Sequence, residues 1–145
     1  MAKRYFLLFF IVVFTLGIQA QSMDTPTGRW KTTDDETGET KSIIEIYEEG
    51  GSYAGRIAQI LTGNDDAICD KCSGKQKNKP MLGLVIINDL KPEAKGEWSG
   101  GTILDPQKGS EYRLSAWFED GDTSKLYIRG KHWTGLYRTQ VWTRE

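Results

Sequence analysis

The sequence predicts an all-β protein, an eight-stranded antiparallel up-and-down β-barrel, with a sandwich of two β-sheets as the competing architecture. After residue 20, apolar and polar residues alternate with a period of two, and Val, Ile, Tyr, Trp and Thr fill the alternating segments. This part of the sequence lacks the sustained 3.6-residue period of an amphipathic helix. Short turns join the segments, which suits antiparallel strands, because parallel strands need long crossover connections. Closing the sheet into a barrel also removes its exposed edges.

Eight segments have the length and the alternation of strands. In the sixth, Tyr112, Leu114 and Ala116 alternate with more polar neighbours, which is typical of a strand with one face toward solvent. Gly50-Gly51, residues 105–109 and Asp120-Gly121-Asp122 have the composition of the turns between them. The predicted strands are residues 28–33, 41–48, 52–61, 83–89, 97–105, 110–119, 125–131 and 136–144.

The first twenty residues have the composition of a signal peptide. Two cations near the start precede an uncharged apolar run at residues 5–16, and Ala20 is a small residue at the expected cleavage position. The run is shorter than the ~20 residues that a membrane-spanning helix needs. We therefore predict that residues 1–20 are a signal peptide and that residues 21–145 form a single domain. The protein is then exported, either to the periplasm or out of the cell.

The residue after the predicted cleavage position argues against a lipid anchor. It is Gln21, whereas a lipoprotein needs a Cys there, so we expect no membrane anchor. Cleavage removes Lys3 and Arg4 from the 19 basic residues and leaves 17 against 20 acidic ones, a net charge of −3. Nucleic-acid binding needs a concentrated basic surface, so we expect no nucleic-acid partner. These features leave the oligomeric state open.

Residues 62–80 form a long polar connection that contains both cysteines, Cys69 and Cys72, as a C-x-x-C pair. A redox-active pair is disfavoured because it requires a helix N-terminus to lower the thiol pKa, and no helix is predicted here. A zinc site needs four ligands, and the sequence has neither a third Cys nor a second His. A local disulfide suits an oxidising compartment. We therefore predict a Cys69–Cys72 disulfide, with redox and metal sites as the alternatives.

The sequence contains no recognisable catalytic or metal-binding constellation. A Ser–His–Asp arrangement would have to use His132, the only histidine, and no Ser lies in the turn typical of a nucleophile. The acidic cluster at residues 34–36 lies between two predicted strands, as a solvated turn does. The carboxylates Asp65, Asp66 and Asp70 lack the spacing of a calcium-binding loop. We therefore expect no catalytic residue, no metal and no cofactor.

The two ends of the predicted barrel resemble the lipocalin-like pattern. Gly28-Arg29-Trp30 has the G-x-W form of the first strand, in which the Trp packs beneath an Arg from the last strand. In a closed barrel these strands are neighbours, and a guanidinium over an indole ring is a cation–π contact. Antiparallel pairing places the end of the last strand beside the start of the first, which favours Arg144 over Arg138. We therefore predict that Trp30 and Arg144 close the barrel.

Nearly the whole chain after the signal peptide resembles a bacterial family of exported, lipocalin-like proteins known only as a domain of unknown function (number 2147). This resemblance implies a fold and a compartment but no activity, and it supplies no catalytic residue. The stretches that carry it are GRWK at 28–31, CDKC at 69–72, GGTILDP at 100–106, IRG at 128–130 and RTQVWTR at 138–144.

An eight-stranded barrel can either be filled by its own side chains or hold one small ligand. Glycines in or beside the predicted strands leave room inside, although most of the five Trp should belong to the core. We therefore expect non-enzymatic binding of a small, largely apolar ligand in the barrel, through residues that the sequence does not identify. The alternative is a structural or interaction protein of the envelope with a filled barrel.

Overall fold

A computed structural model describes residues 24–145, so the predicted signal peptide lies outside the described residues. Eight strands and one short 3₁₀ helix, Gly74–Gln76, make up the regular structure of this part. The strands are β1 (Gly28–Thr33), β2 (Thr40–Glu49), β3 (Ser52–Ile60), β4 (Val85–Ala94), β5 (Glu97–Asp105), β6 (Ser110–Trp117), β7 (Lys125–Lys131) and β8 (Tyr137–Arg144).

Each strand pairs antiparallel with the next along the chain, and β8 pairs with β1 to close the barrel. In the closing pair, Trp30 lies opposite Arg144 and Lys31 lies opposite Thr143. The predicted up-and-down barrel is therefore confirmed, and the competing sandwich is not formed. Within residues 24–145, no helix has the length and apolar character needed to cross a bilayer.

Strand β4 differs most from its predicted bounds. It ends at Ala94 rather than at residue 89, and it passes through Pro92. Proline cannot donate a backbone hydrogen bond, so a strand is expected to stop near it. Here the register with β5 shifts between Pro92 and Ala94, and such a bulge accommodates proline. The pairing with β3 ends earlier, at Leu90, so Pro92 lies where β4 is paired on one side only.

Aromatic side chains fill one end of the barrel. The rings of Trp30 and Phe118 lie 6.2 Å apart, and Trp98 packs edge-to-face on Phe118 at 5.2 Å. Tyr53 extends this group through an edge-to-face contact with Trp98. Trp30 and Trp98 are almost completely buried. We call these four side chains the aromatic plug, because they close the barrel end that contains the start of β1 and the end of β8.

The connection between β3 and β4 folds against the barrel. Within it, Ile68 and Pro80 pair in a β-bridge, and the Cys69–Cys72 disulfide lies between these two residues in the chain. The polar composition of residues 62–80 is typical of a surface loop that lies in solvent. Its lysines are indeed exposed, but Cys69 and Cys72 are 0% and 3% exposed and belong to the hydrophobic core. The loop is therefore part of the packed structure.

The disulfide segment packs against the turn between β5 and β6. Cys69 Sγ lies 3.4 Å from the carbonyl oxygen of Pro106. Gly109 in the same turn has a φ of 68°, and a Cβ at this position would overlap the carbonyl oxygen of Lys71. Glycine is therefore required both by the backbone conformation and by the close approach of the loop. The contact holds the loop at the barrel end opposite the aromatic plug.

Candidate functional site

A cavity of about 690 Å³ opens at the barrel end opposite the aromatic plug. Its mouth lies among the β1–β2, β5–β6 and β7–β8 turns and the start of the β3–β4 loop. This volume falls within the range of ~300–1,000 Å³ that is usual for small-molecule sites. Its wall is mainly aliphatic, because the inward positions of most strands are branched apolar residues. The apolar lining residues include Ile44, Ile57, Ile60, Met81, Ile86, Ile103, Leu104, Ile128 and Trp142.

Gly130 leaves part of this space open. It lies two residues after the inward-facing Ile128 on β7, and it lines the cavity. A Cβ at Gly130 would lie 3.3 Å from Cβ of Tyr112 and 3.5 Å from Cγ2 of Ile103. A larger side chain here would therefore occupy the space beside two other lining residues.

One wall of the cavity is polar. Thr32, Ser42 and Gln140 come from the adjacent strands β1, β2 and β8, and all three line the cavity. The hydroxyl oxygens of Thr32 and Ser42 lie 2.7 Å apart, and the Trp142 indole donates a hydrogen bond of 3.2 Å to Oε1 of Gln140. The cavity thus combines an apolar wall with a strip of uncharged hydrogen-bonding groups.

Charged residues surround the mouth of the cavity. Asp34 forms an ion pair with Lys41 and accepts backbone hydrogen bonds from Thr37 and Glu36. These interactions, the Lys41 bond foremost, hold the pKa of Asp34 well below its usual range. The sequence correctly placed this acidic cluster in a turn, but it did not indicate these partners.

A second ion pair crosses the mouth. Arg138 Nε donates a hydrogen bond of 2.9 Å to Asp35, and this bond raises the pKa of Arg138. Arg138 therefore lies at the open end of the barrel, far from Trp30. Lys108 also lines the mouth and forms no ion pair with any residue in the described range.

Arg144 is the arginine that reaches Trp30. Its guanidinium carbon lies 4.2 Å from the centroid of the indole ring. Nε and Nη1 donate hydrogen bonds to the carbonyl oxygens of Thr123 and Thr27, at 3.0 and 2.9 Å. The Trp30 indole nitrogen donates in turn to the carbonyl oxygen of Pro26 at 2.8 Å. Burial lowers the pKa of Arg144 from its ordinary value.

The first residue of the G-x-W sequence has a direct structural role. Gly28 has a φ of 129°, which side-chain-bearing residues rarely adopt. A Cβ at Gly28 would lie 2.7 Å from Nη1 of Arg144. Gly28 therefore leaves the space that the guanidinium occupies above Trp30.

The candidate catalytic and metal-binding groups remain separate in the structure. His132 is half-buried at the cavity mouth, and its Nδ1 lies 2.8 Å from the hydroxyl oxygen of Thr134 in the same turn. No group of three His, Cys, Asp or Glu side chains within residues 24–145 is arranged to hold a metal ion. Both cysteines are in the disulfide.

The sequence did not identify the residues that line the cavity. The signal that could have found some of them is the strand alternation, because Thr32, Ser42 and Gln140 occupy inward positions where an apolar residue is expected. The residues at the cavity mouth lie in or beside turns, where the sequence shows no comparable alternation. Asp35 and Arg138 are 103 positions apart, and only barrel closure brings them together.

An eight-stranded up-and-down barrel, plugged at one end and hollow at the other, is the architecture of a lipocalin-like protein. The structure resembles that of protein HP1028 from the human pathogen Helicobacter pylori, with a TM-score of 0.70. HP1028 is described as belonging to the lipocalin family. The two share 19% sequence identity over 82% of each chain, a likeness that concerns the fold alone.

Residues 28–144 match the model of a family described as "Uncharacterized protein conserved in bacteria (DUF2147)". The match covers most of the chain, and the protein therefore belongs to this family. No curated protein matches the chain.

Proposed function

We propose that this protein binds a small, largely apolar ligand in the barrel cavity, without catalysis. The observation that carries the proposal is the cavity of about 690 Å³, which is lined mainly by aliphatic side chains and open at one end. Burial of apolar ligand surface against such a wall is favourable by roughly 25 cal/mol per Å². A filled barrel, which the alternative role as an envelope structural protein assumed, would leave no such space.

The distribution of polar groups defines the ligand further. The hydroxyls of Thr32 and Ser42 and the amide of Gln140 can orient an uncharged polar group of the ligand. The charges at the mouth favour a polar end that stays near solvent. The best-fitting ligand therefore has an apolar body and one polar end.

Mass spectrometry of organic extracts tests the proposal directly. Protein purified from its native compartment without detergent is extracted, and the extract is compared with that of a cavity-filling variant. Gly130→Leu is suitable because a side chain at Gly130 would contact Tyr112 and Ile103 on the cavity wall. We expect one apolar compound, or a narrow family of them, in stoichiometric amount from the wild type and at least a tenfold loss from the variant.

Thr143→Leu is the control, because it places the same leucine side chain at an exposed position on the outer face of β8. This control is expected to retain the compound. An empty wild-type extract, combined with no uptake of an added apolar fluorescent probe, would contradict the proposal. Equal recovery from the wild type and Gly130→Leu would place the compound outside the cavity.

Export remains part of the proposal, because an oxidising compartment favours the Cys69–Cys72 disulfide. The mature protein is then expected to begin within a few residues of Gln21 and to carry no lipid. N-terminal sequencing and intact mass of protein from the periplasm or the medium test both points. An exported protein that retains Met1 would contradict the predicted cleavage.

A further inference from the structure

The tip of the β7–β8 hairpin is unusually apolar for a surface. Trp133, Leu136 and Tyr137 are 81%, 77% and 63% exposed, which makes them the most exposed large apolar side chains within residues 24–145. Single exposed apolar residues are common on protein surfaces, but three within five positions form a patch that indicates an interaction site. We call these three side chains the apolar tip.

The apolar tip borders the cavity. Leu136 and Tyr137 line the cavity mouth, whereas Trp133 does not line it and is largely exposed to solvent. Any surface that covered the tip would therefore also lie against the mouth. This position connects the tip with the path by which a ligand enters or leaves.

Basic side chains lie beside the apolar tip on the outer face of β6 and β7. Arg113 and Lys131 are direct cross-strand partners, and cross-strand partners share one face of a sheet. Like charges in this arrangement destabilise the sheet, and neither residue forms an ion pair with any of the residues that the structure describes. An anionic partner would relieve this repulsion.

Arg129 continues the same face between two aromatic rings. Its guanidinium lies 4.8 Å from the Trp117 ring and 4.5 Å from the Tyr137 ring. Tyr137 thus joins the apolar tip to a face that carries three cations. We call Arg113, Arg129 and Lys131 the basic face. This concentration of positive charge contrasts with the net charge of −1 of the whole chain.

The three side chains of the apolar tip are too few to form a stable protein interface by themselves. A buried aromatic side chain contributes ~150–250 Å², so one Trp, one Tyr and one Leu supply less than the ~800 Å² that each partner buries in a standard interface. Insertion into a lipid surface requires no such area. Trp and Tyr favour the interface between lipid and water, and Lys and Arg are attracted to anionic headgroups.

We propose that the apolar tip and the basic face dock the protein reversibly on an anionic phospholipid bilayer, with the cavity mouth toward the lipid. Trp133 and Leu136 enter the interface, and Arg113 and Lys131 contact the phosphates. The acidic β1–β2 turn lies across the mouth. Asp34 and Asp35 are neutralised there by ion pairs, whereas the exposed Glu36 and Glu39 form none among the described residues. Docking itself is independent of the proposed ligand, and only the transfer of a ligand to or from the bilayer depends on it.

Co-sedimentation with vesicles tests the proposal on the chain without its signal peptide. We expect at least tenfold tighter binding to phosphatidylcholine vesicles that contain 30% phosphatidylglycerol than to pure phosphatidylcholine, and weakening of this preference at high salt. Trp133→Ser should weaken binding to the anionic vesicles at least tenfold. Arg113→Glu with Lys131→Glu should abolish the preference for anionic vesicles. Leu82→Ser and Lys95→Glu, which change exposed residues away from the tip and the basic face, should bind as the wild type does.

Two results would overturn docking on lipid: no binding of the wild type to anionic vesicles, or unchanged binding by Trp133→Ser. If the wild type instead forms dimers that Trp133→Ser dissociates, and does not bind vesicles, the tip is an interface with a second copy and the proposal is wrong. Uptake of a soluble apolar fluorescent probe is measured in parallel without vesicles. We expect Trp133→Ser to retain it, because Trp133 does not line the cavity. If neither the wild type nor any variant takes up the probe, the ligand proposal is contradicted and the docking proposal is unaffected.

Discussion

The guanidinium of Arg144 lies over the ring of Trp30, with its central carbon 4.2 Å from the ring centroid. The two residues are direct partners where the last strand meets the first. Trp30 is fully buried, and its ring also contacts Phe118 in the aromatic plug. The pair therefore joins barrel closure to the packing of the plugged end.

The first prediction concerns the energetic coupling of this pair. Trp30→Ala should lower the free energy of unfolding by about 3–5 kcal/mol, because it removes a buried ring. Arg144→Ala should cost about 1–2 kcal/mol, as expected for a partly desolvated cation–π contact. In the double variant the losses should be less than additive, because the guanidinium has no ring to cover once Trp30 is removed. Urea unfolding of the four proteins measures the coupling.

Arg138→Ala is the control for this cycle. Arg138 lies at the open end and forms a hydrogen bond with Asp35. The free-energy cost of Arg138→Ala should therefore add to the cost of Trp30→Ala without coupling. A coupling energy near zero for Trp30 with Arg144 would refute the role of this pair in closing the barrel.

The second prediction concerns Gly28. Gly28→Ala should destabilise the protein for two reasons, the positive φ and the overlap of the new Cβ with the Arg144 guanidinium. Backbone strain of this kind costs of order 1–3 kcal/mol. The overlap disappears in an Arg144→Ala background, so Gly28→Ala should cost less there. Urea unfolding of both single variants and the double variant tests this.

Gly38→Ala provides the comparison for Gly28, because Gly38 also has a positive φ but has no atom within 4 Å of its hypothetical Cβ. Its cost should be the same in the presence and the absence of Arg144. An equal cost of Gly28→Ala in both backgrounds would show that the guanidinium does not depend on this glycine.

The third prediction concerns the disulfide. Closing a four-residue loop contributes about 2 kcal/mol in the chain-entropy model. Because Cys69 and Cys72 also pack in the core, replacing both with Ala should lower the free energy of unfolding by about 2 kcal/mol or more. Burial should further protect the bond, so that free thiols appear under reducing conditions only when urea unfolds the protein. Thiol titration with and without urea measures this, and rapid reduction of the folded protein would contradict it.

The fourth prediction concerns acid stability. Lys41 and two backbone N–H groups lower the pKa of Asp34 in the folded state, whereas the pKa of an unfolded Asp is about 3.9. Asp34 therefore binds a proton more tightly in the unfolded state than in the folded state. The stabilisation by Asp34 is present above about pH 4 and is lost as the pH falls toward the folded-state pKa.

Asp34→Asn should accordingly destabilise the protein at pH 6 and have a smaller effect at pH 2.5, as measured by urea midpoints. Glu36→Gln in the same turn changes an exposed carboxylate that forms no ion pair among the described residues, and it serves as the control. An effect of Asp34→Asn that does not change between the two pH values would rule out this linkage.

The sequence alone determined the strands and their order. Alternation and turn composition are local properties of the chain, so the two-residue turn Gly50-Gly51 and strands such as β5 and β7 could be located from neighbouring residues. Strand β4 was predicted too short because the bulge that accommodates Pro92 depends on pairing with β5. The family resemblance implied a lipocalin-like barrel, which the fold confirms.

Apart from the Trp30–Arg144 pair, only the tertiary structure decided which distant residues meet, and it alone decided whether the barrel is hollow. The packing of Lys71 on Gly109 and the bond between Asp35 and Arg138 join distant parts of the chain. The volume of the cavity is the space that the eight strands enclose minus the volume of all the side chains that point inward. Periodicity reports which side chains point inward, but this volume depends on register, bulges and rotamers across the whole barrel. For this reason the fold could be predicted from the sequence, whereas the cavity could not.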